Sequence, residues 1–407
     1  MTSDQHFVIV GGGLAAAKLA EALRANDFPG TVTLISAEDY LPYERPPLSK
    51  EHLAGKKSLE EFTVDPGQWY RDHHIDVRLG TEVGAIDPRA KTVTLPDGST
   101  LGYDKLALAT GSTPRRLPIP GMDAREVYTL RTIDDSDRLI DLFGTARRLV
   151  IIGAGWIGLE VAAAARAAGV EVTIVESAEL PLLAALGPEM GRVFADLHRD
   201  HGVDLRFGAQ VEAITTDQGD TDLASGVRLA DGTVIEGDAV LVAIGARPNI
   251  ELAANAGLAT DGGVLVDASL ATSDPDIVAV GDIADAQHPV LGRRIRVEHW
   301  ANALNQPAVA AQTMLGKSAS YDRLPYFFTD QYDLGMEYTG YAATGEYARV
   351  VVRGDVGKRE FVAFWLDADN RVLAGMNVNI WDVTDRIKEL IGQQVDPERL
   401  ADTSAPL

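Results

Sequence analysis

Short apolar runs suited to buried strands alternate with longer segments of helical period through most of the chain, and turns rich in glycine, proline or aspartate separate them. The first run, residues 7–10 (Phe-Val-Ile-Val), leads into Gly11, Gly12 and Gly13, and a helix opens at Leu14 with small residues at Ala15, Ala16 and Ala17. A turn at 26–30 and a second strand at 32–35 follow. Short strands are expected at 75–79 and 83–87, a hairpin around Pro96-Asp97-Gly98-Ser99, and a buried strand within 103–111. The spacing predicts a helix over 133–143. The strand–glycine–helix pattern then returns at 149–162, LVIIGAGWIGLEVA, and a strand at 171–176 follows it. A β-rich stretch covers 211–236, with buried runs at 239–245 and 277–282 and a helix starting within 297–306. From Tyr321 onward the pattern becomes aromatic and alternating, as in antiparallel strands, closed by a helix at 383–391. The tail after Pro397 is expected to fray. This order describes an α/β chain with a separate C-terminal module.

The two glycine patterns carry the chemistry. A strand that turns sharply into a helix offers free backbone N–H groups and a positive dipole end to a pyrophosphate. Gly11 and Gly13 allow the close approach, with Ala16 in the third small position; Gly153, Gly155 and Gly158 repeat the spacing. One such turn could be structural only, but two in one chain indicate two dinucleotides. An acid at the end of the second strand of such a unit grips a ribose. Glu38 takes that place in the first unit, with Asp39 as the alternative, and Glu176 in the second. An acid at 176 repels a 2′-phosphate, so NADH is preferred over NADPH. Residues 40–50, YLPYERPPLSK, hold Arg45 and Lys50 on a proline-stiffened loop that presents charge with little loss of entropy. Asp282, at the end of a buried strand, can accept hydrogen bonds from a polyol.

Composition removes alternatives. At 407 residues, two or three domains are expected. The net charge of −23 argues against nucleic-acid binding, because phosphate attraction needs a basic surface. No apolar run reaches the roughly 18 residues of a membrane span, and the opening residues lack a signal-peptide pattern, so a cytoplasmic protein with no membrane partner is expected. Cysteine is absent. That excludes electron transfer through a Cys pair beside a flavin, thiolate metal sites and chemistry through a Cys intermediate. No metal is expected.

Together these stretches resemble the flavoprotein NADH-dependent ferredoxin reductases of bacterial monooxygenase and dioxygenase systems, with rubredoxin reductases as relatives and apoptosis-inducing factor more distantly. The likeness is carried by GGGLAA at 11–16, LPYERPPLSK at 41–50, ATGS at 109–112, GAGWIGLE at 153–160, GARPN at 245–249, VGDIA at 280–284, VEHW at 297–300 and TDQYD at 329–333. It implies two Rossmann-like dinucleotide-binding domains in a glutathione-reductase-like fold, plus an α+β C-terminal domain. The FAD domain would comprise 1–113 and 246–321, the NADH domain 114–245, and a domain covering the flavin 322–407. FAD would meet Gly11, Gly13, Leu14 and Ala15 at its phosphates and Glu38 at its ribose, with Arg45, Pro47 and Lys50 along the flavin. Val83, Ala109, Thr110, Gly111, Arg131, Asp282 and Trp300 would complete that site. NADH would meet Gly153, Gly155, Ile157 and Gly158 at the pyrophosphate, Glu176 at the ribose and Gly245 on the nicotinamide side. Glu160 would lie near the nicotinamide and pair with Lys50, and these two are the expected catalytic residues.

The chain departs from the family pattern in two places. Phe328 stands where an aromatic Trp often precedes the (S/T)DQ segment, and Leu180 and Ala184 stand where basic residues are frequent. The expected reaction needs alignment of two rings more than acid–base chemistry. A flavin is required because nicotinamide moves electrons in pairs and an iron–sulfur ferredoxin, or a rubredoxin, accepts one. Lys50 and Glu160 are expected to position the rings, either in a monomer or in a homodimer. The competing readings are a monodehydroascorbate-type NADH reductase and a redox-gated interaction protein. The Arg293, Arg294 and Arg296 cluster is a candidate docking patch for the electron carrier.

Overall fold

The computed structural model describes residues 4–407. The described chain divides into two compact units, each built from three segments. Of the described residues, the first comprises 4–45, 58–113 and 247–325; the second comprises 46–57, 114–246 and 326–407.

The first unit is built on a five-stranded parallel sheet in the order Ile277–Ala279, Lys105–Leu108, His6–Val10, Thr31–Ile35, Ile75–Arg78. Its strands are buried apolar runs, as a parallel sheet covered on both faces requires. His6–Val10 is central. The chain leaves it towards Thr31–Ile35 on one side and reaches Lys105–Leu108 on the other, so a crevice opens at its carboxyl end, where ligands bind in such sheets. The helix Leu14–Ala25 starts at that end and packs on the helix Trp300–Met314. A three-stranded antiparallel sheet of Ala85–Asp87, Thr92–Thr94 and Thr100–Gly102 completes the hairpin region.

The second unit repeats the plan with a parallel sheet ordered Asp204–Arg206, Glu171–Val175, Arg148–Ile152, Ala239–Val242, Val127–Tyr128. Arg148–Ile152 is again central and runs into the helix Trp156–Ala167. The same unit contains an antiparallel sheet ordered Tyr326–Gln331, Leu334–Gly340, Val372–Val378, Glu360–Leu366, Arg349–Asp355. Its face is filled by Phe364, Leu366, Val372 and, from the helix Thr384–Leu390, Ile387.

Two local expectations change, and one helix is additional to those expected. Residues 297–299 precede the helix, which starts at Trp300. The helix Leu183–Asp200 carries no clear signal because Gly187 and Pro188 interrupt its pattern; the chain bends there, with Gly187 at φ 80°. The tail does not fray. Pro397–Ala401 is helical with Leu400 buried, and Arg353 donates to the carbonyls of Asp402, Thr403 and Ala405. An apolar anchor and three carbonyls on one guanidinium outweigh the entropy of a free end. No helix among the described residues is long and apolar enough to cross a membrane.

Candidate functional site

In the first unit the glycine turn is shaped for an anion. Gly11 sits at φ 134°, and an added Cβ would lie 2.1 Å from the Ala109 carbonyl oxygen, so only glycine lets these two strands lie this close. Gly13 caps the helix without a side chain, and a Cβ there would meet nothing within 4 Å. The first turn holds no acid. The first N–H groups of the helix, at Leu14 and Ala15, therefore border open space at a positive dipole end, which fits a dinucleotide pyrophosphate. Glu38 follows the neighbouring strand and accepts from the Tyr43 hydroxyl at 2.6 Å and from Arg45 at 2.5 Å. Arg45 thus lies against the acid and over the Tyr43 ring at 4.6 Å. Asp39 is exposed. Burial lowers the Arg45 guanidinium's affinity for its proton, but the Tyr43 and Glu38 charges and hydrogen bonds more than reverse this.

At the crevice's other side, Thr110 donates to the Asn249 carbonyl at 2.7 Å and the Asn249 amide returns a bond to the Thr110 carbonyl at 3.0 Å. That exchange holds Ala109, Thr110 and Gly111, the last at φ 66°. Asp282 lies in the turn Gly281–Ile283, where Ser112 donates to it at 2.6 Å. Gly281 is close enough to Ala15 that an added Cβ would lie 3.4 Å from its methyl. Val83 is buried in the core, and Trp300 opens the long helix half-buried.

In the second unit Gly153 is at φ 104°, with a hypothetical Cβ 2.4 Å from the Ala243 carbonyl oxygen. A Cβ at Gly158 would lie 2.3 Å from the Gly153 carbonyl oxygen, while one at Gly155 would meet nothing. Glu176 reaches back to the loop: it accepts from the Ala154 N–H at 2.7 Å and from the Ala178 N–H at 2.8 Å. Ile157 is 42% exposed beside the helix N-terminus, an apolar surface available to a ligand. Gly245, at φ 91°, ends the segment that follows the strand Ala239–Val242. The Arg131 N–H is held by Asp135 at the start of the helix Ile133–Phe143.

The same unit buries an ion pair. Lys50 Nζ lies 2.8 Å from Glu160 Oε1, with the side chains 9% and 5% exposed. Pro46–Ser49 forms a tight turn, and Ser136 donates to the Leu48 carbonyl at 2.8 Å, so the loop cannot swing away. Glu160, one turn into the helix Trp156–Ala167, also accepts from Ser49 Oγ at 2.5 Å and from Thr329 Oγ1 at 2.6 Å. Lys50, Ser49 and Thr329 thus place three donors on one buried carboxylate, which meets the hydrogen-bonding need of a polar group taken out of water. Lys50 Nζ lies 5.4 Å from the centre of the Phe328 ring, a cation–π contact.

Two glycine cradles and one buried carboxylate met by three donors suit a pyridine-nucleotide enzyme, and residues 5–307 match the family described as pyridine nucleotide-disulphide oxidoreductase. The chain belongs to that family. Residues 326–407 match the family described as reductase C-terminal. The chain is 42% identical to the ferredoxin reductase subunit of the 5,5'-dehydrodivanillate O-demethylase of Sphingobium sp., covering 99% of this chain and 98% of the relative. It is 40% identical to the ferredoxin–NAD(+) reductase component of the anthranilate 1,2-dioxygenase system of Burkholderia cepacia, covering 100% and 99%. It superposes on the reductase in the covalent putidaredoxin reductase–putidaredoxin complex with a TM-score of 0.94 at 36% identity, over 100% of this chain and 97% of the other. The chain is an NADH-dependent oxidoreductase with two Rossmann-like cores and a C-terminal antiparallel sheet. The family's cofactors are FAD and NAD(H), and the two cradles fit them.

Several of this reductase's polar groups have no counterpart in the sequence reading. Ser49 and Thr329 bond Glu160, with Gln331 and His198 beyond Thr329; Ser49 lay in the LPYERPPLSK stretch, Thr329 and Gln331 in TDQYD, and nothing signalled His198. The alternation in TDQYD, Thr329 and Gln331 buried with Asp330 exposed, was the available sign. The arginine cluster is engaged within its own unit. Arg294 donates to the Val266 and Asp285 carbonyls, and Arg296 to the Asp282 carbonyl and to Glu298.

Proposed function

We propose that the chain is the reductase component of an oxygenase system, taking a hydride from NADH onto FAD and passing electrons singly to a small iron–sulfur ferredoxin. That ferredoxin in turn feeds a haem monooxygenase or ring-hydroxylating oxygenase, and the setting is the cytoplasm. The observation that carries the reading is the absence of cysteine from a chain of the disulphide-oxidoreductase family. Without a dithiol, electrons that enter from a nicotinamide leave by an external carrier, and relatives matched over nearly the full length are named as ferredoxin reductases. Bound FAD supplies the exchange between a two-electron donor and a one-electron acceptor.

The chain's own residues do the rest by binding and orientation. Residues 1–113 and 246–321 form the proposed FAD domain, with Gly11, Gly13, Leu14 and Ala15 at the pyrophosphate and Glu38, braced by Arg45, at the ribose. Residues 114–245 form the NADH domain, with Gly153, Gly155, Ile157 and Gly158 at the pyrophosphate and Glu176 at the ribose. Residues 322–407 form the third, covering domain. The Lys50–Glu160 pair presents a fixed dipole to the reacting rings and moves no proton.

Anaerobic titration with NADH, followed by mixing with a two-iron ferredoxin or with rubredoxin, tests the proposal. Bleaching of the yellow chromophore by about one equivalent of NADH and fast ferredoxin reduction are expected. Preferential reduction of rubredoxin would replace the carrier, and a chromophore left oxidised under excess NADH would end the reading.

A further inference from the structure

Beyond Thr329 the hydrogen bonds continue away from Glu160 through the second unit. Gln331 Nε2 lies 3.1 Å from Thr329 Oγ1, His198 Nε2 lies 2.9 Å from Gln331 Oε1, and the Tyr332 hydroxyl lies 3.3 Å from His198 Nδ1. Thr329, Gln331 and His198 are each about 1% exposed or less. Tyr332 holds a left-handed backbone, φ 56°, at the turn between two strands, and its ring stacks on His201 at 3.7 Å and 10°. Four side chains from a helix end and a strand end thus form one line directed at the carboxylate.

With a neutral His198 ring, only one arrangement of protons satisfies this line. Glu160, accepting from Lys50, takes the single Thr329 hydroxyl proton; Thr329 oxygen must then accept, so the Gln331 amide nitrogen faces it. The Gln331 oxygen consequently faces His198 and needs a proton on Nε2. His198 Nδ1 is left bare and accepts from Tyr332. We propose that His198 is a positioning residue which, through Gln331, locks the Thr329 hydroxyl towards Glu160 and so holds that carboxylate in register with Lys50. The inference rests on the reading that Glu160 and Lys50 serve the nicotinamide. Burial holds the His198 imidazole down at about 4, against the usual 6.5, with His201 adding to the effect and the Gln331 bond opposing it, so the ring remains neutral and keeps this tautomer. The charged groups within reach of Glu160 are Lys50 and, next to Thr329 on the strand, Asp330.

The line cannot conduct a proton, because a glutamine amide does not readily accept one and release another. Its role is to aim. Replacing Gln331 with Leu removes the aim without removing a charge; Gln331→Glu keeps the shape but turns the Thr329 hydroxyl round, because a carboxylate there can only accept.

The test uses the FAD-loaded protein. Nitrogen-15 NMR of labelled histidines should show His198 protonated at Nε2 and silent to titration between about pH 5.5 and 9. In Q331E the ring should pick up a second proton within that range, beside its new carboxylate. Stopped-flow reduction by NADH should be roughly tenfold slower in both variants, with the NADH dissociation constant changed less than about twofold, since one charge-assisted bond is lost. Wild-type hydride-transfer rates in both variants, or an Nδ1-protonated His198, would overturn the inference. Failure of the wild-type flavin to bleach would strike the reductase reading instead, and the NMR arm would still decide the His198 arrangement.

Discussion

At the scale of single residues, the second unit concentrates its buried polar chemistry on Glu160. Removing one partner of a buried pair exposes the other to an uncompensated charge, which costs about 3–5 kcal/mol. Glu160→Gln leaves Lys50 buried without its carboxylate, so a thermal midpoint several degrees lower and a marked loss of hydride transfer are expected together; differential scanning fluorimetry and anaerobic stopped-flow measure the two. His198 carries a separate signature. Its ring titrates near 6.5 in the unfolded chain and about 4 in the folded one, so between those values the unfolded chain binds more protons. Stability should fall as pH drops from about 6.5 to about 4 and change no further from this source below that. The size is on the order of 3 kcal/mol. His299, also held at about 4 by burial, with Asp282 opposing, acts in the same direction. His198→Phe should flatten the decline in midpoint across this window, and an unchanged slope would show that the ring is not held neutral.

At the scale of elements, both nucleotide turns are made by glycines whose missing side chains are filled by a neighbouring strand's backbone. A rigid carbonyl cannot move aside as a flexible side chain can. Gly11→Ala would put a methyl 2.1 Å from the Ala109 oxygen, and the purified protein should be colourless. Gly153→Ala, at 2.4 Å from the Ala243 oxygen, should leave the protein yellow but unbleached by NADH. Visible spectra before and after NADH separate the two. The helix Leu183–Asp200 escaped the hydrophobic pattern because its bend at Gly187 is held from elsewhere. Trp365 donates to the Leu186 carbonyl and Thr344 to the Ala184 carbonyl, both from distant positions in the chain. The docked C-terminal helix belongs to the same class. Deleting residues 397–407 removes the buried Leu400, worth roughly 1.5–3 kcal/mol, and should lower the thermal midpoint measurably while flavin content is retained.

At the scale of the molecule, the absence of thiols makes a simple prediction. Incubation with a thiol-alkylating reagent should leave NADH-driven flavin reduction unchanged, where a dithiol member of the family would be blocked. Each compact unit draws on three separated stretches of chain, and the first cannot close its parallel sheet until a late strand arrives. The first needs Ile277–Ala279 to flank Lys105–Leu108, and the second includes the sheet beginning at Tyr326. Such non-local pairing favours slow folding.

By itself the sequence determined the two glycine turns, the acids that end the neighbouring strands, the α/β order and the exclusion of thiol chemistry. Each of these depends on residues near one another in the chain: a glycine's freedom, a strand's period, an amino acid wholly missing. What tertiary structure alone decided is which side chains meet. Arg45 lies on Glu38, although it sits on the same short loop as Lys50, which lies on Glu160. His198 and Gln331 are 133 positions apart, and no local pattern records that one will donate to the other. Hydrogen bonds are short and directional, so their partners are chosen only when sheets and helices have brought distant segments within about 3 Å.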